Sequence, residues 1–127
     1  MSCKITPRQV GDVTILDCEG RITLGEGSVT FREAIQICVY GKALDYNELT
    51  RPQGQRARVL LHLGNVTYMD SSGFGELISG FTAVSNAGGS LKLLCLREKI
   101  LNMLLITKLD SIFQIFEDEE KAVRSFH

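Results

Sequence analysis

Residues 58–63 (Arg58-Val59-Leu60-Leu61-His62-Leu63) form a nearly unbroken apolar run with no polar alternation. A strand of that kind has no face to turn to water, so it belongs in the middle of a sheet covered on both sides. Sheets with buried parallel strands need crossovers, usually helices, and the flanking sequence supplies them. Phe74, Leu77, Ile78, Phe81 and Val84 fall on one helical stripe, and Asn86-Ala87-Gly88-Gly89 ends it. Residues 91–96 read as another buried strand, and Ile100, Leu101, Leu104 and Leu105 as a third helical face. A last short strand is predicted over residues 112–116. Asp118, Glu119 and Glu120 then open a final helix, matching its positive end, with Ala122, Val123 and Phe126 turned inward.

Upstream, residues 3–7 and 13–18 are β-branched runs separated by Gly11-Asp12, which predicts an antiparallel hairpin. Glu19-Gly20-Arg21-Ile22-Thr23 and Gly25-Glu26-Gly27-Ser28 read as a glycine-rich loop. Phe31, Ala34, Ile35 and Cys38 then recur at helical spacing, with Ser28 or Thr30 as the expected cap. Residues 41–56 lose apolar content and accumulate Asn47, Pro52, Gln53, Gly54 and Gln55, which reads as an insertion or long loop. Two strands followed by alternating helix and strand give an α/β fold. At 127 residues and 44% hydrophobic content, residues 1–127 fit one domain with its own core and no need of disulfides or metal.

The same arithmetic removes several function classes. Fourteen Lys and Arg against fifteen Asp and Glu leave a net charge of -1, which gives no global field for nucleic acid or anionic lipid. The longest apolar runs, such as residues 100–106, fall far short of the ~20 residues of a membrane span. Lys4 and Arg8 stand where a secretory leader needs its apolar stretch, so the expected compartment is cytoplasmic. The four cysteines (Cys3, Cys18, Cys38, Cys95) form no Cys-x-x-Cys pair and read as buried, reduced thiols; no metal and no cofactor is expected. His62, alone inside its strand, reads as a hydrogen-bonded structural residue. Asn65-Val66-Thr67 matches a glycosylation acceptor by chance.

Chemistry concentrates at Asp70-Ser71-Ser72-Gly73, between a strand and a helix. Free backbone N–H groups and the helix dipole favour an anion there, so a phosphate on Ser71 or Ser72 is tolerated. Spacing alone favours one serine acting as a plain helix cap, with Gly73 easing the turn, and capping and phosphorylation are compatible with each other. The nucleophile elbow Gly-x-Ser-x-Gly is absent, because Met69 or Asp70 stands at its first glycine. Ile78 occupies the third glycine of a dinucleotide fingerprint begun at Gly73, and no Walker lysine follows a glycine-rich loop. Gly73, Gly75 and Gly80 are assigned to the turn and to close helix packing, and residues 117–120 to a solvated helix start rather than paired catalytic carboxylates. No catalytic residue is expected.

The segment Leu61-His62-Leu63-Gly64-Asn65-Val66-Thr67-Tyr68-Met69-Asp70-Ser71-Ser72-Gly73-Phe74-Gly75 resembles the signature of STAS domains, and more narrowly of bacterial anti-sigma factor antagonists. The likeness extends through Gly20-Arg21-Ile22-Thr23, Gly88-Gly89-Ser90-Leu91-Lys92-Leu93, Ile106-Thr107-Lys108-Leu109 and the acidic final helix, leaving out residues 41–56. It implies a STAS-like mixed sheet of four to five strands with about four helices, mainly on one side. It also implies a switch: the unphosphorylated protein binds an anti-sigma factor that is a serine kinase, displacing the sigma factor. The kinase then phosphorylates the serine after the motif aspartate, here Ser71, and a serine phosphatase resets it. Asp70, Ser71, Ser72, Gly73, Arg21 and Thr23 become the partner-binding residues by the same resemblance. Two rival readings stand beside it: a nucleotide-binding or weakly nucleotide-hydrolysing domain, and a scaffold or transport-complex subunit that is never phosphorylated.

Overall fold

The computed structural model describes residues 3–40 and 57–127; the expected insertion at 41–56 lies outside the described residues. The elements run β1 (Cys3–Val10), β2 (Val13–Ile22), α1 (Glu26–Tyr40), β3 (Arg58–Met69), α2 (Ser71–Asn86) and β4 (Ser90–Leu94). They continue with α3 (Glu98–Ile106), a 3₁₀ turn at Leu109–Ser111, β5 (Ile115–Phe116) and α4 (Glu119–Arg124). The five strands lie in sequence order in one sheet. β1 and β2 are antiparallel across the Gly11-Asp12 turn, where Gly11 takes the left-handed φ of 62°. The pairs β2–β3, β3–β4 and β4–β5 are parallel.

Val59, Leu60, Leu61 and Leu63 are all fully buried, as their lack of alternation requires. Val59, Leu61 and Leu63 pack into the larger core with Phe31 and Ile35 of α1, Leu77 and Val84 of α2, and Ile100 and Leu104 of α3. Leu60 faces the other way, into a smaller cluster with Val13, Ile15, Leu94 and Ala122 of α4. Among the described residues, three helices therefore cover one face and one short helix covers part of the other.

That short helix is tied at both ends. Near its start, Arg8 of β1 donates to Asp17 (Nε–Oδ2 2.6 Å) and to Glu119 (Nη2–Oε1 2.5 Å, Nη1–Oε2 3.0 Å). Past its end, Lys92 Nζ donates to the carbonyl and hydroxyl oxygens of Ser125, each at 2.9 Å, and stands 4.6 Å from the Phe126 ring centre. The acidic helix start is thus partly paired rather than wholly solvated. His62 is half-buried, and its Nδ1 accepts the Gly64 N–H at 3.2 Å.

Four expectations are corrected. Residues 19–22 are strand, not loop, because β2 continues along β3 to the pair Ile22↔Met69. α1 starts at Glu26, so Ser28 and Thr30 lie inside it, and Ser28 Oγ donates to the Gly25 carbonyl. Cys3 and Cys18 are buried free thiols, but Cys38 and Cys95 are only partly covered. Gly73 and Gly80 do serve close packing: a Cβ on Gly73 would lie 2.2 Å from the Ile22 carbonyl oxygen, and one on Gly80 3.3 Å from Ile35 Cγ1. Gly75 does not, since a Cβ there meets nothing within 4 Å.

Gly73→Ala is therefore expected to destabilise the chain by about 1–3 kcal/mol through overpacking. Gly75→Ala is expected to stabilise it by about 0.5–1 kcal/mol by removing a helix-interior glycine. Urea unfolding at unchanged m reads both, and a stabilised Gly73→Ala would contradict the packing at the β2–α2 contact. Arg8 holds the Glu119 carboxyl below its ordinary value, mainly through the side-chain hydrogen bond. A depressed carboxyl stabilises the fold above its unfolded pKa and loses that contribution as the pH falls through its folded one. The pairs are more than a third exposed, so Arg8→Gln should lower stability at pH 7 by only about 1 kcal/mol. The gap from wild type should close as the pH drops below about 4. A gap that persists at pH 2–3 in thermal melts, in place of this closure, would assign Arg8 to packing alone.

Candidate functional site

The candidate site forms where the carboxyl ends of β2 and β3 meet the N-terminus of α2. β3 carries extra residues relative to β2 at two register shifts, between Asp17 and Glu19 and between Gly20 and Arg21. Such bulges bend the strand and re-aim its end. Thr67 Oγ1 donates to the Gly20 carbonyl at 3.1 Å beside the second shift. The strand end is thereby brought against Ile22, whose carbonyl accepts the Asp70 N–H at 3.4 Å.

Asp70 is extended (φ -91°, ψ -174°) and caps α2. Its Oδ1 accepts the Gly73 N–H at 2.9 Å, and its Oδ2 accepts the Leu24 N–H at 3.1 Å. One carboxylate thus satisfies a free donor of the helix and ties down the loop between β2 and α1. These bonds, the one from Gly73 first and the one from Leu24 second, hold its carboxyl below the usual carboxylate range. The cap is therefore the aspartate, not a serine. Ser71 is left exposed as the first residue of α2, and Ser72 is half-buried behind it. Gly73 lets the helix start approach Ile22 and Met69 to distances at which no side chain fits.

Thr23 is half-buried, and its carbonyl accepts the Ser28 N–H at 2.9 Å, closing the β2–α1 loop one residue before Leu24. Thr23 is thus brought to the Asp70 junction through the backbone. Arg21 is exposed, and its guanidinium lies 4.6 Å from the centre of the Tyr68 ring, to which it is paired across the strands. Ile22 and Met69, the neighbours of that pair, point into the larger core, so Arg21 and Tyr68 stand on the opposite face of the sheet from α2. The structure gathers Asp70, Ser71, Ser72, Gly73 and Thr23 at one corner and sets the Arg21 side chain behind it.

Leu24 was not legible as a site residue: it is 77% exposed on a loop pinned by Asp70 and turned by Gly25 at φ 96°. Its only signal was an apolar residue stranded between polar and glycine positions. Asp70 also places a carboxylate at the α2 N-terminus, where a nucleotide phosphate would have to sit. Among the described residues no three His, Cys, Asp or Glu side chains converge as a metal would require, and no helix is long and apolar enough to cross a membrane.

The STAS domain family model matches residues 4–122. The chain is 33% identical over 99 residues, 78% of its own length and 91% of the relative's, to the anti-sigma-B factor antagonist of Bacillus subtilis strain 168. Its backbone matches a candidate anti-sigma factor antagonist from Thermotoga maritima with a TM-score of 0.78 at 22% identity, covering 96% of this chain and 93% of the other. It matches the Bacillus cell fate determinant SpoIIAA, in its phosphorylated form, with a TM-score of 0.68 at 14% identity, over 98% of this chain and 100% of the other. The two structures speak for the fold, and the expected mixed sheet and four helices are the ones observed, with five strands. From the match across residues 4–122 and the shared architecture, the chain belongs to the STAS domain family and resembles the anti-sigma factor antagonists within it.

Proposed function

We propose that the chain is an anti-sigma factor antagonist that binds a serine-kinase anti-sigma factor while Ser71 is unmodified and is released when that kinase phosphorylates Ser71. A serine phosphatase returns it to the binding form. It works in the cytoplasm through protein contacts, with no catalysis of its own and no direct hold on nucleic acid or membrane. Asp70, Ser71, Ser72, Gly73 and Thr23 form the partner-binding corner, and Arg21 flanks it from the other face of the sheet. The observation that carries this reading is the division of labour at the junction. Asp70 supplies the cap, so folding asks nothing of the Ser71 hydroxyl, which stands exposed at the helix start.

The relatives support the same reading. The B. subtilis relative is an anti-sigma-B factor antagonist, and SpoIIAA, which shares the fold, exists in a phosphorylated form. A phosphate on Ser71 would add about -1.5 to -2 charges beside the Asp70 carboxylate. The α2 N-terminus offsets part of that charge, so the fold survives while a complementary partner surface is repelled.

Ser71→Ala and Ser71→Asp separate the switch from the cap. Ser71→Ala is expected to change folding stability by less than about 0.5 kcal/mol, because the aspartate cap is untouched. As baits in a lysate of the native cell, the alanine form should retain a kinase-type anti-sigma factor and the aspartate form should lose it by about tenfold or more. Mass spectrometry should find phosphate on wild-type Ser71. Equal capture by both baits, with Ser71 unmodified in every growth condition, would leave the scaffold reading in its place.

A further inference from the structure

Gly75 is a helix-interior glycine that the fold does not require. It is exposed in the second turn of α2, its φ lies outside the left-handed region, and a Cβ there meets nothing within 4 Å. Gly73 and Gly80 on the same helix differ, since each is packed against Ile22 or Ile35. A glycine at such a position costs helix stability relative to alanine and returns nothing to the domain. Its lack of a side chain leaves the α2 backbone bare to a contact made from outside the chain.

The position says which contact. Gly75 follows Ser71 by four residues on α2, so the two share one face, a single turn or about 6 Å apart. In the transfer that the function above requires, the Ser71 Oγ attacks the γ-phosphorus of a nucleoside triphosphate. The Oγ–P bond forms, the bond from phosphorus to the bridging oxygen breaks, nucleoside diphosphate leaves, and the hydroxyl proton passes to a base of the kinase. A protein that brings a γ-phosphate in line with that oxygen comes within reach of the helix face one turn away. We propose that Gly75 is a specificity-determining notch: the serine-kinase anti-sigma factor packs directly on the bare α2 backbone there, and this depth of approach brings Ser71 within reach of its nucleotide. The inference rests on the proposed function and adds a contact that the motif aspartate and serine do not supply.

The test uses the full chain with the same organism's purified serine-kinase anti-sigma factor and MgATP. Gly75→Ala, Gly75→Leu and, as a control on the exposed far end of α2, Ser85→Ala are compared for affinity, initial phosphorylation rate and melting temperature. Gly75→Ala should bind about tenfold more weakly and Gly75→Leu about a hundredfold, with KM for phosphorylation rising in the same order. Gly75→Ala should melt at or above the wild-type temperature, and Ser85→Ala should behave as wild type throughout. If wild type is a substrate and both Gly75 variants are bound and phosphorylated equally well, the notch assignment falls and the function stands. If wild type is neither bound nor phosphorylated, both fall. A Gly75→Ala that melts well below wild type would return the glycine to the fold's own needs. A Gly75→Ala that loses only self-association, with phosphorylation intact, would give the notch to a second copy of the chain; either result overturns the proposal.

Discussion

Because Leu60 is buried against Val13, Ile15, Leu94 and Ala122 while Val59 and Leu61 beside it are buried under the helices of the opposite layer, β3 is an interior strand, and its neighbours β2 and β4 share that two-sided burial. That two-sided burial requires a layer on each face and a paired strand on each flank. β2 lies on one flank and β4 on the other, and α1 and α2 are the crossovers that let parallel partners form. The constraint relaxes toward the carboxyl end. There Asn65, Thr67 and Tyr68 are exposed, since α4 covers only the lower part of that face. The strand that begins as core thus ends at the surface, and it delivers Asp70 and Ser71 there.

At that end a single carboxylate replaces what would otherwise be several separate devices. Two backbone N–H groups converge on Asp70: that of Leu24, 46 residues before it in the β2–α1 loop, and that of Gly73 in the first turn of α2. Both bonds favour the ionised form, which holds the carboxyl below the usual carboxylate range. The loop bearing exposed Leu24 and the helix bearing exposed Ser71 are therefore tied into one corner by the same carboxylate. Pre-organisation of this kind lowers the ordering penalty of association without adding contact area.

Much of this was legible before the structure. Residues 58–63 announced the central strand through missing alternation, and the stripe through Leu77 and Val84 announced α2. The misreadings share a cause: local signals that tertiary pairing overrides. Gly20 made residues 19–23 look like loop, but parallel pairing with β3 and two bulges carry β2 through them. Ser28 and Thr30 looked like caps because hydroxyl residues usually are, yet α1 already starts at Glu26. At α2 a serine was the expected cap, and only the backbone angles show that the Asp70 side chain is the one that reaches Gly73. Gly75 was indistinguishable from Gly73 and Gly80, because a sequence does not say whether a missing side chain has a neighbour to avoid. The placement of Arg21 behind the sheet follows from register, which the two bulges hide.

The same corner explains why modification at Ser71 would act on an interface more than on the fold. In the isolated chain Ser71 is exposed, so a phosphate there would remain hydrated, and its repulsion from Asp70 would be weakened by bulk water. The α2 N-terminus supplies a compensating partial positive charge over the same first turn. When a partner covers the corner, the effective dielectric falls from about 80 toward 20 and the same repulsion grows roughly fourfold. The phosphate would then also have to shed its water, at a cost unless the partner supplies a cation. The penalty is therefore concentrated in the bound state. It is greatest where the partner approaches most closely, and Gly75, one turn from the modified oxygen, leaves the helix backbone open to such an approach.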